Sequence, residues 1–119
     1  MPHCIIESTE NLIKSINKKQ LMNDLASAVF SLGCFSEDDI KVRLYPIKNS
    51  FLGIKEQVHS YVTADVQVMD NKSDEQLNEL VTKVQDVLES HFKIEIGKTS
   101  ITSQVSFLNK KYYKRFKNW

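Results

Sequence analysis

Hydrophobic positions along the chain change period from segment to segment, and the changes predict elements. His3 to Glu7, "HCIIE", is β-prone and rich in apolar residues. From Lys18 onward Leu21, Leu25, Val29 and Leu32 recur at spacings of four and three, which puts them on one face of a helix. Gly33 follows as the residue that ends it, since glycine accepts the left-handed backbone on which helices commonly stop. Ile40, Val42 and Leu44 then alternate with Lys41 and Arg43 ahead of Pro46, the period of a half-buried strand. Strand, helix and strand make one unit.

The second half repeats the order with different residues. Tyr61 to Val68 reads as a strand, and Ser73 followed three positions later by Gln76 opens a helix with a capping box. Leu77, Leu80, Val81, Val84, Val87 and Leu88 supply its apolar stripe, and Ile101 to Leu108 reads as the last strand. The expected architecture is α/β (α+β): two βαβ repeats, each with parallel strands, forming a mixed four-stranded sheet with two helices on one face. The length allows a single domain over residues 1–119. Within it the units fall at 1–47 and 58–108, joined by a connection at 48–57 that turns at Gly53 and followed by a tail at 109–119. Two helices on one face leave the opposite face bare, so an oligomer is expected.

Composition narrows the setting. No apolar run approaches the roughly 20 residues that cross a bilayer, and "MPHCIIESTE" lacks the regions of a signal peptide, so a cytoplasmic protein away from membranes is expected. Cys4 and Cys34 match no metal spacing and read as small hydrophobes. His3, His59 and His91 show no ligand spacing either, so no metal is expected. The tail "NKKYYKRFKNW" holds five cations and no acid, whereas the whole chain carries only +1, so the body is acidic.

Pro2 stands out against this plain background. A start methionine is commonly removed when the next side chain is small, which would leave Pro2 with a free secondary amine. Taken alone, a proline at the head of a strand is ordinary, because a missing N–H does no harm there.

The stretches "PHCIIEST", "IKVRLYP", "YVTADVQV", "MDNKSDE" and "ITSQVSFL", in this order and up to about Leu108, resemble the 5-carboxymethyl-2-hydroxymuconate isomerase family of the tautomerase superfamily. The resemblance implies a homotrimer of paired βαβ units that uses no metal or cofactor. It implies an isomerase acting on an unsaturated, carboxylate-rich intermediate of aromatic breakdown, a dicarboxylate or tricarboxylate such as 5-carboxymethyl-2-hydroxymuconate. Pro2 would be the general base and acid.

Keto–enol isomerisation needs one group that takes a proton and returns it elsewhere, with a pKa near the working pH. Apolar surroundings and neighbouring cations both make an amine less basic, because both disfavour its protonated form. Arg43 is the candidate for holding a substrate carboxylate through two parallel hydrogen bonds, with Lys41 two positions earlier on the same strand face. Lys72, in the turn before the second helix, is the third candidate. Arginine is usual in the family at the positions of Lys41 and Lys72, and lysine cannot make the planar grip, so substrate preference is open. Lys41 and Arg43 read equally as the wet face of a strand, and Lys72 as a solvated turn residue.

The alternative to an enzyme is a non-catalytic oligomeric binding module of the same fold. A methionine retained on Pro2 would leave an amide with no basicity, and the interleaved rings and cations of the tail are those of a segment that stacks on single-stranded nucleic acid. An acidic body repels phosphate, so nucleic acid is not the expected partner. Tyr112, Tyr113, Phe116 and Trp119 are expected to pack on a neighbouring subunit, with the lysines in solvent.

Overall fold

A computed structural model describes residues 1–54, 59–92 and 98–119. The elements are β1 (His3–Thr9), α1 (Glu10–Ile13), α2 (Lys18–Phe30), β2 (Lys41–Ile47), β3 (His59–Met69), α3 (Asp74–His91) and β4 (Lys98–Leu108). Single 3-10 turns occupy Glu37–Asp39 and Lys110–Tyr112. The strands form one mixed sheet in the order β2-β1-β3-β4. β1 runs parallel to β2 and β3 parallel to β4, as two βαβ units require, and the units meet through an antiparallel β1–β3 pairing.

The core lies on one face of that sheet. Cys4 and Ile6 of β1 and Val62, Ala64, Val66 and Val68 of β3 are buried against Leu21, Leu25 and Val29 of α2 and Leu80, Val84 and Leu88 of α3. Every second residue of β3 from Ser60 to Val68 is buried, so a one-residue slip of register would turn this whole row outward. The buried stripes of both helices are those the sequence spacing picks out. Each large aliphatic side chain removed from water contributes about 1.5–3 kcal/mol.

Local chemistry fixes the helix ends. Asn17 caps α2 by accepting from the Gln20 N–H at 3.0 Å. At α3 the capping box is complete: Ser73 Oγ accepts from Gln76 N at 3.2 Å, while Ser73 N donates to Gln76 Oε1 at 3.0 Å. α2 stops at Phe30, so Leu32 lies past its end, and Gly33 takes a left-handed φ of 80° while donating to Phe30 O at 3.1 Å. Gly53 likewise turns at φ 81° in the connection after β2. Residues 55–57 of the expected connection, and position 58 at the head of the second unit, lie outside the described residues.

Three differences from the sequence reading have physical causes. α1 is an additional helix of four residues, about one turn, too short for a 3.6-residue period to reveal. β3 and β4 start earlier than their apolar residues do, because Ser60 and Thr99 satisfy each other at 3.0 Å and a paired hydroxyl can sit inside. Arg115 and Lys117 of the tail are held by the protein and do not stand free in solvent. Among the described residues, no helix is long and apolar enough to cross a membrane.

Candidate active site

β1 starts directly behind Pro2, which is fully buried. Its carbonyl accepts from Lys41 N at 3.0 Å, tying the head of β2 to the head of the chain. The 3-10 turn ahead of β2 places Asp39 at the same point. The Met1 amine donates to the Asp39 carbonyl at 3.4 Å, and Lys41 Nζ donates to that oxygen at 3.3 Å. The Asp39 carboxylate in turn holds Lys117 Nζ at 3.0 Å and Arg115 Nη1 at 3.3 Å, so the tail returns to the start of the chain.

A cavity of about 150 Å³ opens here, with Met1, Cys34, Phe35, Asp39, Met69 and Lys72 in its wall. Lys72 Nζ lies 5.2 Å from the centre of the Phe35 ring, a cation–π contact that keeps the ammonium at the wall. A wider hollow of about 370 Å³ lies on the bare sheet face, but Glu7 and Asp65 line it, and two carboxylates repel an anion. Lys72 gives the hollow at the chain start a cation that suits an anion.

The electrostatics agree. The terminal amine is held below its ordinary pKa first by burial and then by Lys41, with Arg115 and Lys117 acting the same way and Asp39 opposing. His3 is also lowered, by burial first and then by the amine, Arg43 and Lys41. The neutral ring suits its contact: Arg43 Nη1 lies 3.1 Å from His3 Nδ1, and a guanidinium can only donate, so Nδ1 accepts and the ring proton sits on Nε2. Burial, reinforced by Asp65, pushes the Cys4 thiol up to about 12, which removes it as a nucleophile.

The structure thus gathers Pro2, Lys41 and Lys72 at one end of the sheet. Arg43 sits one step away, half-buried beside His3 on the open sheet face and outside the cavity wall. Sequence reasoning missed Asp39, Arg115 and Lys117. The only signal for them was the tail's surplus of positive charge.

The family model for 5-carboxymethyl-2-hydroxymuconate isomerase matches residues 2–116. The chain belongs to this family. The match begins at Pro2, takes in Asp39, Lys41, Lys72 and Arg115, and stops short of Lys117. Solved structures share the fold of this isomerase-family chain. A 5-carboxymethyl-2-hydroxymuconate isomerase from Deinococcus radiodurans R1 aligns at a TM-score of 0.89 and 21% identity, covering 98% of this chain and 90% of that one. A 5-carboxymethyl-2-hydroxymuconate delta-isomerase aligns at 0.80 and 14% identity, with 99% and 89% covered. A fused 4-OT wild type, a symmetric trimer, aligns at 0.71 and 10% identity, with 92% and 87% covered. No significant match is found among curated proteins. At these identities the neighbours establish the fold, and family membership supports an isomerase.

Proposed function

We propose that the protein is a cofactor-free isomerase in which the Pro2 secondary amine, freed by removal of Met1, moves the proton. The substrate is an unsaturated, carboxylate-rich intermediate of aromatic breakdown such as 5-carboxymethyl-2-hydroxymuconate. The neutral amine takes the enol hydroxyl proton. The oxygen's electron pair then forms the carbonyl, the double bond shifts along the conjugated chain, and its far carbon takes a proton back from the prolinium. Atoms and charge balance without a co-reactant.

Arg43, with Lys41 or Lys72, holds carboxylates so that enol and carbon face the amine in turn. The surroundings that hold the Met1 amine below its ordinary pKa, burial first and then Lys41, would act on a freed Pro2 amine in the same direction and favour its uncharged form. Met1 also forms part of the cavity wall, so its loss would both expose the amine and widen the hollow. The observation that carries this reading is a family match that starts at Pro2, a buried residue with lysines and an arginine gathered around the chain start. The enzyme works as a homotrimer in the cytosol.

The test joins intact-mass measurement of the native protein to an enol-isomerisation assay. Loss of Met1, with turnover that collapses in Pro2→Ala, is expected. A native protein that keeps Met1 would leave only an amide at this position and end the reading.

A further inference from the structure

The chain's last 3-10 turn, Lys110–Tyr112, precedes a tail that lies back against the chain start. Two cations arrive with it, and both meet the same oxygen: Arg115 Nη1 is 3.3 Å and Lys117 Nζ 3.0 Å from Asp39 Oδ1. Lys117 Nζ also lies 5.5 Å from the centre of the Trp119 ring, a second contact that limits where the ammonium can point. Asp39 belongs to the cavity wall with Met1 and Lys72, and its carbonyl takes the terminal amine and Lys41.

Arg115 and Lys117 therefore share the Asp39 carboxylate, while Lys41 bonds the Asp39 carbonyl and Lys72 stands in the same cavity wall as Asp39. Glu37 and Asp38 share the turn with Asp39, so what the cluster offers an anion is unused hydrogen-bond donors rather than surplus charge. The four are not equivalent. The lysines are point charges, whereas Arg115 presents one nitrogen to Asp39 and is 39% exposed, which leaves a further edge of its planar fork for a second carboxylate.

We propose that the tail is part of the substrate site, with Arg115 and Lys117, docked on Asp39, receiving a carboxylate of the substrate. This rests on the isomerase reading above and assigns that site two cations from outside the sheet. Asp39 links both cations to the chain start, since its carbonyl accepts from the Met1 amine at 3.4 Å while its carboxylate holds them.

The test is calorimetric titration of the full-length, Met1-free protein with propane-1,2,3-tricarboxylate, a saturated probe that cannot be isomerised. Arg115→Ala with Lys117→Ala should weaken binding by about tenfold or more, as expected for losing charge-assisted hydrogen bonds. Lys110→Ala with Lys111→Ala removes the same charge from the same tail away from Asp39, and should leave affinity within about twofold, since exposed charges are screened. Equal loss in both double variants, no loss in either, or no binding by the parent protein would overturn the proposal. Should the first double variant fail to fold, Arg115→Lys takes its place, keeping the charge but losing the fork. A loss of about threefold or more supports the assignment, and unchanged affinity overturns it. Because the probe reports binding alone, turnover in Pro2→Ala is read separately. Turnover that survives there alongside tail-dependent binding would remove the proline and leave the tail site standing.

Discussion

Pro2 and the groups around it act on one another through short contacts that span long stretches of sequence. His3 is the clearest single case. Its lowered pKa means that the unfolded chain takes up a proton at a higher pH than the folded one does. Stability is therefore lost as pH falls from the ordinary value of 6.5 toward the depressed folded value. Protonation would also set an imidazolium against Arg43. The expected outcome is a melting temperature that drops on acidification through that window, with a smaller drop in His3→Asn; identical slopes would contradict it. Arg43→Ala is expected to raise KM by about tenfold or more with kcat little changed, the pattern of lost ground-state binding. Steady-state kinetics on a dicarboxylate substrate would check it. Pro2, Lys41, Arg43 and Lys72 were legible as candidates through the family resemblance, since taken alone they read as a strand-initial proline, a wet strand face and a turn lysine. The Lys117–Asp39 contact was not, because it joins residues 78 positions apart and no local pattern links them.

At the scale of elements, apolar spacing carried most of the information and hydrogen bonds the rest. The buried stripes of α2 and α3 are those read from the spacing of leucine and valine. Strand starts were less legible, since the hydrophobic count overlooks a polar residue such as Ser60, which is buried with its hydroxyl paired to Thr99. Ser103 is a half-buried case, donating to Gln85 Oε1 of α3 at 2.7 Å. The capping box was legible because it is a local motif. Ser73→Ala is expected to cost about 1 kcal/mol. Gly33→Ala meets no atom within 4 Å, so any loss comes from the left-handed backbone alone, again about 1 kcal/mol. Leu25→Ala, in the sealed core, should cost about 2–5 kcal/mol. Urea unfolding of the three variants orders them, and a Leu25→Ala as mild as the other two would contradict the packing described.

For the whole molecule, the parallel pairs followed from helix-linked strands, but the antiparallel β1–β3 pairing that joins the halves did not. No segment between β1 and β3 announces which strands become neighbours. The bare sheet face follows from having α2 and α3 on the same side, and it is largely polar around Asp65, which accepts from Ser106 Oγ at 3.0 Å. Such a face suits a subunit interface built from hydrogen bonds as well as apolar contact. Sedimentation equilibrium is expected to return three chain masses, and a monomer at micromolar concentration would contradict the proposed assembly.

The most direct measurement compares turnover of an enol dicarboxylate by the Met1-free protein and by its Pro2→Ala variant at neutral pH. Exchanging the ring-fixed secondary amine for a primary amine of less fixed direction should lower kcat by about a hundredfold or more. Equal kcat in the two proteins would contradict the account, since an ordinary primary amine would then serve as well as the proline ring.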